Sequence, residues 1–194
     1  MTDDRHVARS LTPLHGEGLR LCAWDADSDT EAADYLRGLL DPEFVRWNTP
    51  LTPIEDLDGA RASLLRKAEE AAKGTGASYR ITDESDGTTL GHIGVDGIDH
   101  VFRRARVGYW VLPEARGRGV ATRALRLASH WAHTELALHR LELGHALGHE
   151  ASCAIAEKCG FRYEGTLRGA MFEAARHDTF RAAHLHARLA TDPE

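Results

Sequence analysis

A mixed α/β domain is the fold this sequence predicts, and three observations carry the prediction. Stretches with period-two apolar alternation recur between stretches with a 3.6-residue apolar stripe, in the order β-α-α-β-β-β-α-β-α-β-β. No repeat, low-complexity tract or linker divides the 194 residues, a length that one domain accommodates. The clearest junction, within Ala105 to Ser129, passes from strand to helix through a turn holding two glycines.

Taken in order, residues 1–18 read as a flexible leader, Leu19 to Leu189 as the domain and residues 190–194 as a tail. Leu19–Trp24 alternates as a first strand. A helix is expected over Thr30–Leu40, with Leu36, Leu39 and Leu40 apolar and Asp41-Pro42 ending it. Phe44, Val45 and Trp47 are more hydrophobic than an idle loop needs, so they read either as a packing cluster or as a wall of a substrate pocket. Thr52-Pro53-Ile54-Glu55 has the form of a capping box with proline at N1, opening a helix whose stripe is Leu57, Ala60, Leu64, Leu65, Ala68 and Ala72. Gly74 and Gly76 stop it. Strands follow over Ala77–Thr82 and Thr89–Gly97, joined by a turn containing Asp86-Gly87. Beyond the central junction come a strand from Arg140 to Leu147 and a helix over Glu150–Lys158, closed by Gly160. Strands over Phe161–Leu167 and Phe180–Leu189 complete the chain.

At the junction, Val107, Tyr109 and Val111 alternate with Gly108, Trp110 and Leu112, and Pro113 ends the ladder because it has no amide to donate. Arg116-Gly117-Arg118-Gly119-Val120-Ala121 then turns into a helix whose apolar face is Val120, Ala121, Ala124, Leu125, Ala128, Trp131 and Ala132. Glycines let backbone amides approach a ligand, and the helix dipole adds positive potential. Arg116, Arg118 and Arg123 are expected to place three cations around the same spot, which suits a diphosphate. A nucleotide-binding P-loop would need G-x-x-x-x-G-K-[ST], and that lysine is absent. A Rossmann turn would need a third glycine where Thr122 stands, and the nearest downstream acid, Glu142, lies inside a strand. The plain alternative is a glycine-rich connection with incidental arginines.

The pattern Arg116-x-x-Gly119-x-Ala121 resembles the [Q/R]-x-x-G-x-[G/A] signature of the GNAT N-acetyltransferases. Ala151-Ser152 followed by Ala156-Glu157-Lys158-Cys159-Gly160-Phe161 resembles that family's N-x-x-S…EKxGF segment, and Phe161–Arg168 continues in the manner of its RimJ/RimL-like branch. The resemblance spans Leu19 to Leu189. It implies a splayed pair of central strands, acetyl-CoA as cosubstrate, and direct transfer of acetyl to a primary amine, either a protein N-terminus or a small molecule. It assigns Val111 and Leu112 to the pantetheine arm, and Arg116, Gly117, Arg118, Gly119, Val120, Ala121 and Thr122 to the diphosphate. The family's pantetheine-binding asparagine aligns with His149, which either donates and accepts hydrogen bonds there or faces solvent. Ser152 keeps its position, bonding CoA or the amides of its own helical turn. A homodimer would be ordinary for this branch.

The glutamate many relatives use as base aligns with Arg106, which stays protonated and cannot serve. Other proton acceptors are His92 and Asp96, which share a strand face, Asp99 and His100 in the next turn, and Tyr163 and Glu164 near the last strands. Failing these, water takes the proton, which suits an α-amino group of low pKa. Two competing readings follow from Arg106 and His149: a CoA-binding protein without transferase activity, or a transferase of a longer acyl group whose carboxylate pairs with Arg106. A nucleotide-binding module ranks below both.

The net charge of −6 argues against a nucleic-acid partner, whose binding face is basic. No apolar run approaches the roughly 20 residues that cross a bilayer, and the polar start lacks a secretory h-region, so the cytoplasm is expected and no membrane. Cys22, Cys153 and Cys159 form no C-x-x-C pair and read as free thiols. Twelve histidines are scattered without H-E-x-x-H or similar spacing, so no metal is expected.

Overall fold

A computed structural model of the chain describes residues 11–50 and 52–193. Most of the 1–18 stretch expected as leader lies outside them, but its end does not. Strands β1 (Leu14–Gly16) and β2 (Leu19–Ala23) form a hairpin through Glu17 and Gly18, both at positive φ as a two-residue turn requires. Three residues are too few for β1 to show an alternation.

Helix α1 (Asp29–Leu40) starts at Ser28, whose side chain accepts from Glu31 N. Asp41 ends α1 and at once caps α2 (Pro42–Trp47), its carboxylate accepting from Glu43 N and Phe44 N with Pro42 in the first turn. The 6 residues of α2 hold too little of a stripe to mark a helix in the sequence. Helix α3 (Leu57–Ala72) corrects the expected capping box. Its cap is Asp56, accepting from Gly59 N at 2.8 Å, while Thr52–Glu55 approach it without helical turns and Ile54 packs into the second core.

Strands β3 (Gly76–Asp83), β4 (Thr89–Asp99) and β5 (Arg104–Val111) form an antiparallel meander. Helix α4 (Val120–Thr134), β6 (Arg140–Ala146), α5 (Glu150–Lys158), β7 (Arg162–Phe172) and β8 (Phe180–Leu189) follow. β7 runs five residues past its expected end. Its side chains are largely exposed, so hydrophobic alternation cannot mark its length, whereas its pairing with β8 persists to Phe172↔Phe180.

The sheet order is β1-β2-β3-β4-β5-β6-β8-β7. One face packs α4 and α5, with Val120, Ala124, Leu125 and Ala128 meeting Tyr79, Ile93, Val107 and Leu141 in the main core. The other face packs α1 and α3, with Tyr35, Ala60 and Leu64 around Trp110 and Leu112. Among the described residues a single pair of strands is parallel. β5 and β6 pair only at Arg104↔Arg140, Ala105↔Leu141 and Arg106↔Glu142. Beyond these, β6 continues with β8 to Ala146↔Ala183 and β5 with β4 to Gly91↔Val111. The two strands therefore diverge, and among the described residues the β6-facing edge of β5 from Val107 to Val111 has no strand partner.

Candidate active site

The divergence opens into a cavity of about 540 Å³. Its walls come from the end of β5 (Tyr109, Trp110, Val111), the turn after it, the first residues of α4, the α5 side (His149, Ala151, Ala154, Ile155, Lys158) and α2 (Glu43, Phe44, Trp47, Asn48). Of the two readings of the Phe44–Trp47 cluster, Phe44 and Trp47 do line the pocket, and Phe44 also packs on the second core.

The turn consists of one 3₁₀ turn at Pro113–Ala115 followed by Arg116 to Gly119. Gly117 and Gly119 have φ of 72° and 71°, a region costly for residues with a Cβ. Gly119 is the N-cap of α4 and has no side chain with which to satisfy the helix's first amides. No amide from Gly117 to Gly119 donates to another protein group among the described residues. Of the residues assigned to the diphosphate, Arg116, Gly117, Gly119, Val120, Ala121 and Thr122 line the cavity.

The expected trio of cations is not assembled. Arg118 is not among the lining residues and points to Asp83 at 3.6 Å. Arg123 donates to the Glu17 carbonyl at 2.6 Å. Arg116 alone remains at the cavity, held by the Asp41 carboxylate and by the Val111 carbonyl at 3.1 Å. Lys158 joins it from the end of α5, a cation that no local pattern marks.

Leu112 is likewise not brought to the cavity: its side chain is fully buried and its amide donates to Leu90 O at 2.9 Å. That bond fixes its neighbour. Successive strand residues present their amides to opposite edges, so the Val111 N–H points to the side that β6 has vacated.

His149 starts α5 and stacks on Trp47 with ring centroids 4.5 Å apart and planes 8° from parallel. Burial, and then the neighbouring His145, pull its pKa down to about 4, so near neutrality it is uncharged. Ser152 is buried with its hydroxyl 2.9 Å from the Tyr109 hydroxyl. Burial raises the Tyr109 phenol to about 12, against the opposing hydrogen bond from Ser152, so it keeps its proton. No sequence signal marks Tyr109 for this pair, since its place in the alternation of β5 is equally that of a core residue.

None of the expected proton acceptors lines this cavity. His92 and Asp96 do share a sheet face, but it is the α1/α3 face. His92 is enclosed by Trp24, Tyr35 and Trp110, and Trp24 Nε1 donates to its Nδ1 at 3.0 Å. Asp96 lies 3.7 Å from Lys67 Nζ. Asp99 accepts from Val101 N and Phe102 N, both at 2.9 Å, and His100 donates to the Gly74 carbonyl. Arg140 grips both oxygens of Glu164, and the Tyr163 hydroxyl bonds Thr166. Arg106 is exposed, opposite Asp96. Apart from Arg106, each of these groups is engaged by a neighbour. Glu43 is the carboxylate among the lining residues, its Oε1 accepting from Trp47 Nε1 at 2.7 Å.

Burial holds the pKa of His92 well below its ordinary value, so the folded protein keeps this ring neutral while the unfolded chain protonates it below about pH 6.5. The unfolded state then binds the extra proton, and stability falls as pH falls. Relative to His92→Gln, which retains an acceptor for Trp24, wild type is expected to lose up to ~1.4 kcal/mol more per pH unit below about pH 6.5. Above that pH the two curves run parallel. Denaturant unfolding across this range checks it; parallel curves at every pH would contradict it.

The diverging strands and the glycine turn between β5 and α4 define a class, and the sequence belongs to it: the Acetyltransferase (GNAT) domain matches residues 19–162, so this chain is a member of the GNAT acetyltransferase family. Among its relatives, YdaF of Bacillus subtilis (strain 168), whose name describes a ribosomal N-acetyltransferase, is 37% identical over 92 residues, 47% of this chain and 50% of that protein. Spermidine N(1)-acetyltransferase of Escherichia coli (strain K12) is 38% identical over 93 residues, 48% of this chain and 50% of that one. These matches therefore span about half the length of the curated relatives. The solved structure of Mycobacterium smegmatis RimJ in complex with CoA-disulfide superposes with a TM-score of 0.80 at 25% identity, covering 95% of this chain and 89% of that one. The expected RimJ/RimL-like affinity is thus present in the fold. Among the described residues, no helix is long and apolar enough to cross a membrane.

Proposed function

We propose that this chain is an N-acetyltransferase that moves an acetyl group from acetyl-CoA directly to a primary amine, and that it works in the cytoplasm. The observation that carries the reading is the meeting, in one cavity, of an unpartnered strand edge and a turn with free amides. An extended pantetheine arm can pair with the edge of β5, while the Gly117–Thr122 turn, Arg116 and Lys158 receive the phosphates.

The nitrogen lone pair attacks the thioester carbonyl carbon, forming the C–N bond. The Val111 N–H faces the gap where the carbonyl oxygen gains negative charge, an electrostatic contribution of the oxyanion-hole kind. Collapse breaks the C–S bond, and the leaving thiolate takes a proton from the Tyr109–Ser152 hydroxyl pair. Water removes the proton from the nitrogen and returns one to the hydroxyl pair, since the titratable groups proposed from the sequence are engaged elsewhere. That arrangement favours an acceptor with appreciable neutral amine near pH 7, such as a protein N-terminus. Glu43 gives an arriving ammonium a carboxylate to meet, which keeps a small polyamine as the second acceptor class.

Calorimetry with CoA followed by thiol release over a panel of N-terminal peptides and polyamines tests the proposal. Saturable binding with turnover on either class supports it. Binding without turnover on any amine would favour a CoA-binding protein, and no binding would remove both readings. Ser152→Ala and Tyr109→Phe are each expected to lower kcat on the order of 10²-fold, the low end for loss of an acid group, with CoA affinity changed only a few-fold. Equal losses in affinity and kcat would assign these hydroxyls to binding.

A further inference from the structure

Four side chains behind the α5 wall of the cavity converge from three elements: His145 on β6, His184 and His186 on β8, and Cys153 on α5. One ligand atom from each lies within 4.8 Å of all the others. We propose that these residues form a binding site for a tetrahedral divalent transition metal of the zinc type, which ties the start of α5 to the β6–β8 pair.

The distances fit a tetrahedron. His145 Nε2 and His186 Nε2 are 3.3 Å apart, and Cys153 Sγ is 3.6 Å from His186 Nε2. Bonds of about 2.0–2.1 Å to nitrogen and about 2.3 Å to sulfur give tetrahedral edges of roughly 3.4 Å for N···N and roughly 3.6 Å for N···S. Two of the six edges are thus already in place, and the others, all within 4.8 Å, need the ligand atoms to draw inward around the ion. The orientation of His145 also suits a ligand: its Nδ1 lies 3.0 Å from the Ala146 carbonyl, which can only accept, so Nδ1 carries the proton and Nε2 keeps its lone pair.

The cluster has no other explanation as complete. A hydrogen bond from His186 Nε2 to His145 Nε2 would account for the 3.3 Å contact, but not for the convergence of Cys153 and His184. The Nδ1 atom of His184 is buried without a hydrogen-bond partner among the described residues. Three imidazoles and one thiol select zinc-like ions over magnesium or calcium, which prefer oxygen. Binding converts the Cys153 thiol to thiolate and releases one proton to solvent. The site is closed, with four protein ligands and no open position, so its role is structural.

The location gives that role a consequence. Cys153 follows Ser152, which bonds the cavity-lining Tyr109, and His145 lies edge-on to the cavity-lining His149 with centroids 6.1 Å apart, so a metal here would brace the cavity wall from behind. The pattern escapes sequence motifs because only His184 and His186 are close in the chain, while His145 and Cys153 come from distant elements.

Tag-free protein stripped with a chelator and titrated with Co²⁺ provides the test. One equivalent should produce the intense visible bands of tetrahedral cobalt and a near-ultraviolet thiolate-to-cobalt charge-transfer band, both bleached by Zn²⁺. Cys153→Ser should abolish the charge-transfer band. His145→Gln should weaken Co²⁺ binding by more than the ~10–100-fold that outer-shell changes cost. Zn²⁺ should also raise the melting temperature of wild type more than that of Cys153→Ser. A pale octahedral spectrum, no spectrum, or Co²⁺ binding indifferent to both substitutions would overturn the proposal, the last by assigning the ion to surface histidines.

Discussion

Replacing Gly119 by leucine is expected to abolish saturable CoA binding while leaving the protein folded. Gly119 sits at φ 71° and ψ 12°, and a Cβ built on it meets nothing within 4 Å. The substitution therefore clashes with no protein group; its conformational cost is the left-handed backbone, about 1–2 kcal/mol. The ligand side differs. The amides around Gly119 are useful to a phosphate only if it can approach to hydrogen-bonding distance, and a branched side chain projecting from the turn occupies that approach. A loss of more than ~100-fold in affinity, about 2.7 kcal/mol, is expected by calorimetry. Gly87→Ala supplies the control: Gly87 has φ 75°, is equally uncrowded, and lies in the β3–β4 hairpin away from the cavity. It should show comparable strain with unchanged CoA binding. An intact titration for Gly119→Leu would remove the turn from the binding site and the proposed activity with it.

What could be read from the sequence was what the chain decides locally. The β5–α4 junction is legible because Pro113, Gly117 and Gly119 constrain their own backbone, and Gly160 closes α5 at φ 77° by the same logic. The divergence of β5 from β6 came through the family resemblance alone, because a three-residue parallel pairing leaves no pattern in either strand. The side-chain partners were not legible. Arg118 stands in the motif and Arg123 just after it, yet their guanidiniums are drawn away by Asp83 and by the Glu17 carbonyl, groups more than 30 residues distant in the chain. His92 shows the same limit from the other direction. Its strand position marked it as a candidate base, but the sheet face it shares with Trp110 belongs to the aromatic core beneath α1. Charge and spacing name residues able to do chemistry; packing from distant elements determines which of them reach the cavity.

Two glycines against Trp110 should tolerate alanine poorly, for different reasons that can be separated. Gly38 lies in α1, where alanine would ordinarily be favoured by ~1 kcal/mol. Here a Cβ would stand 2.3 to 2.6 Å from three atoms of the Trp110 ring. The ring cannot swing aside, because Trp24, Tyr35 and His92 pack around it. Gly38→Ala is therefore expected to destabilise by ~1–3 kcal/mol against the helix propensity, measured by denaturant unfolding. At Gly91 the Cβ would stand 2.3 Å from the Trp110 carbonyl oxygen and 3.0 Å from Val111 Cα, both backbone atoms at the end of β5, beyond its divergence from β6. No rotamer relieves that contact, so Gly91→Ala should cost more than ~4 kcal/mol or prevent folding. Trp110→Leu separates the two cases. It should suppress much of the Gly38→Ala defect, giving a double-mutant coupling of about 1 kcal/mol or more, and leave the Gly91→Ala defect untouched. Additive behaviour of Gly38→Ala with Trp110→Leu would mean that α1 does not press on this ring, and that the Trp110 wall of the cavity is held by something other than the second core.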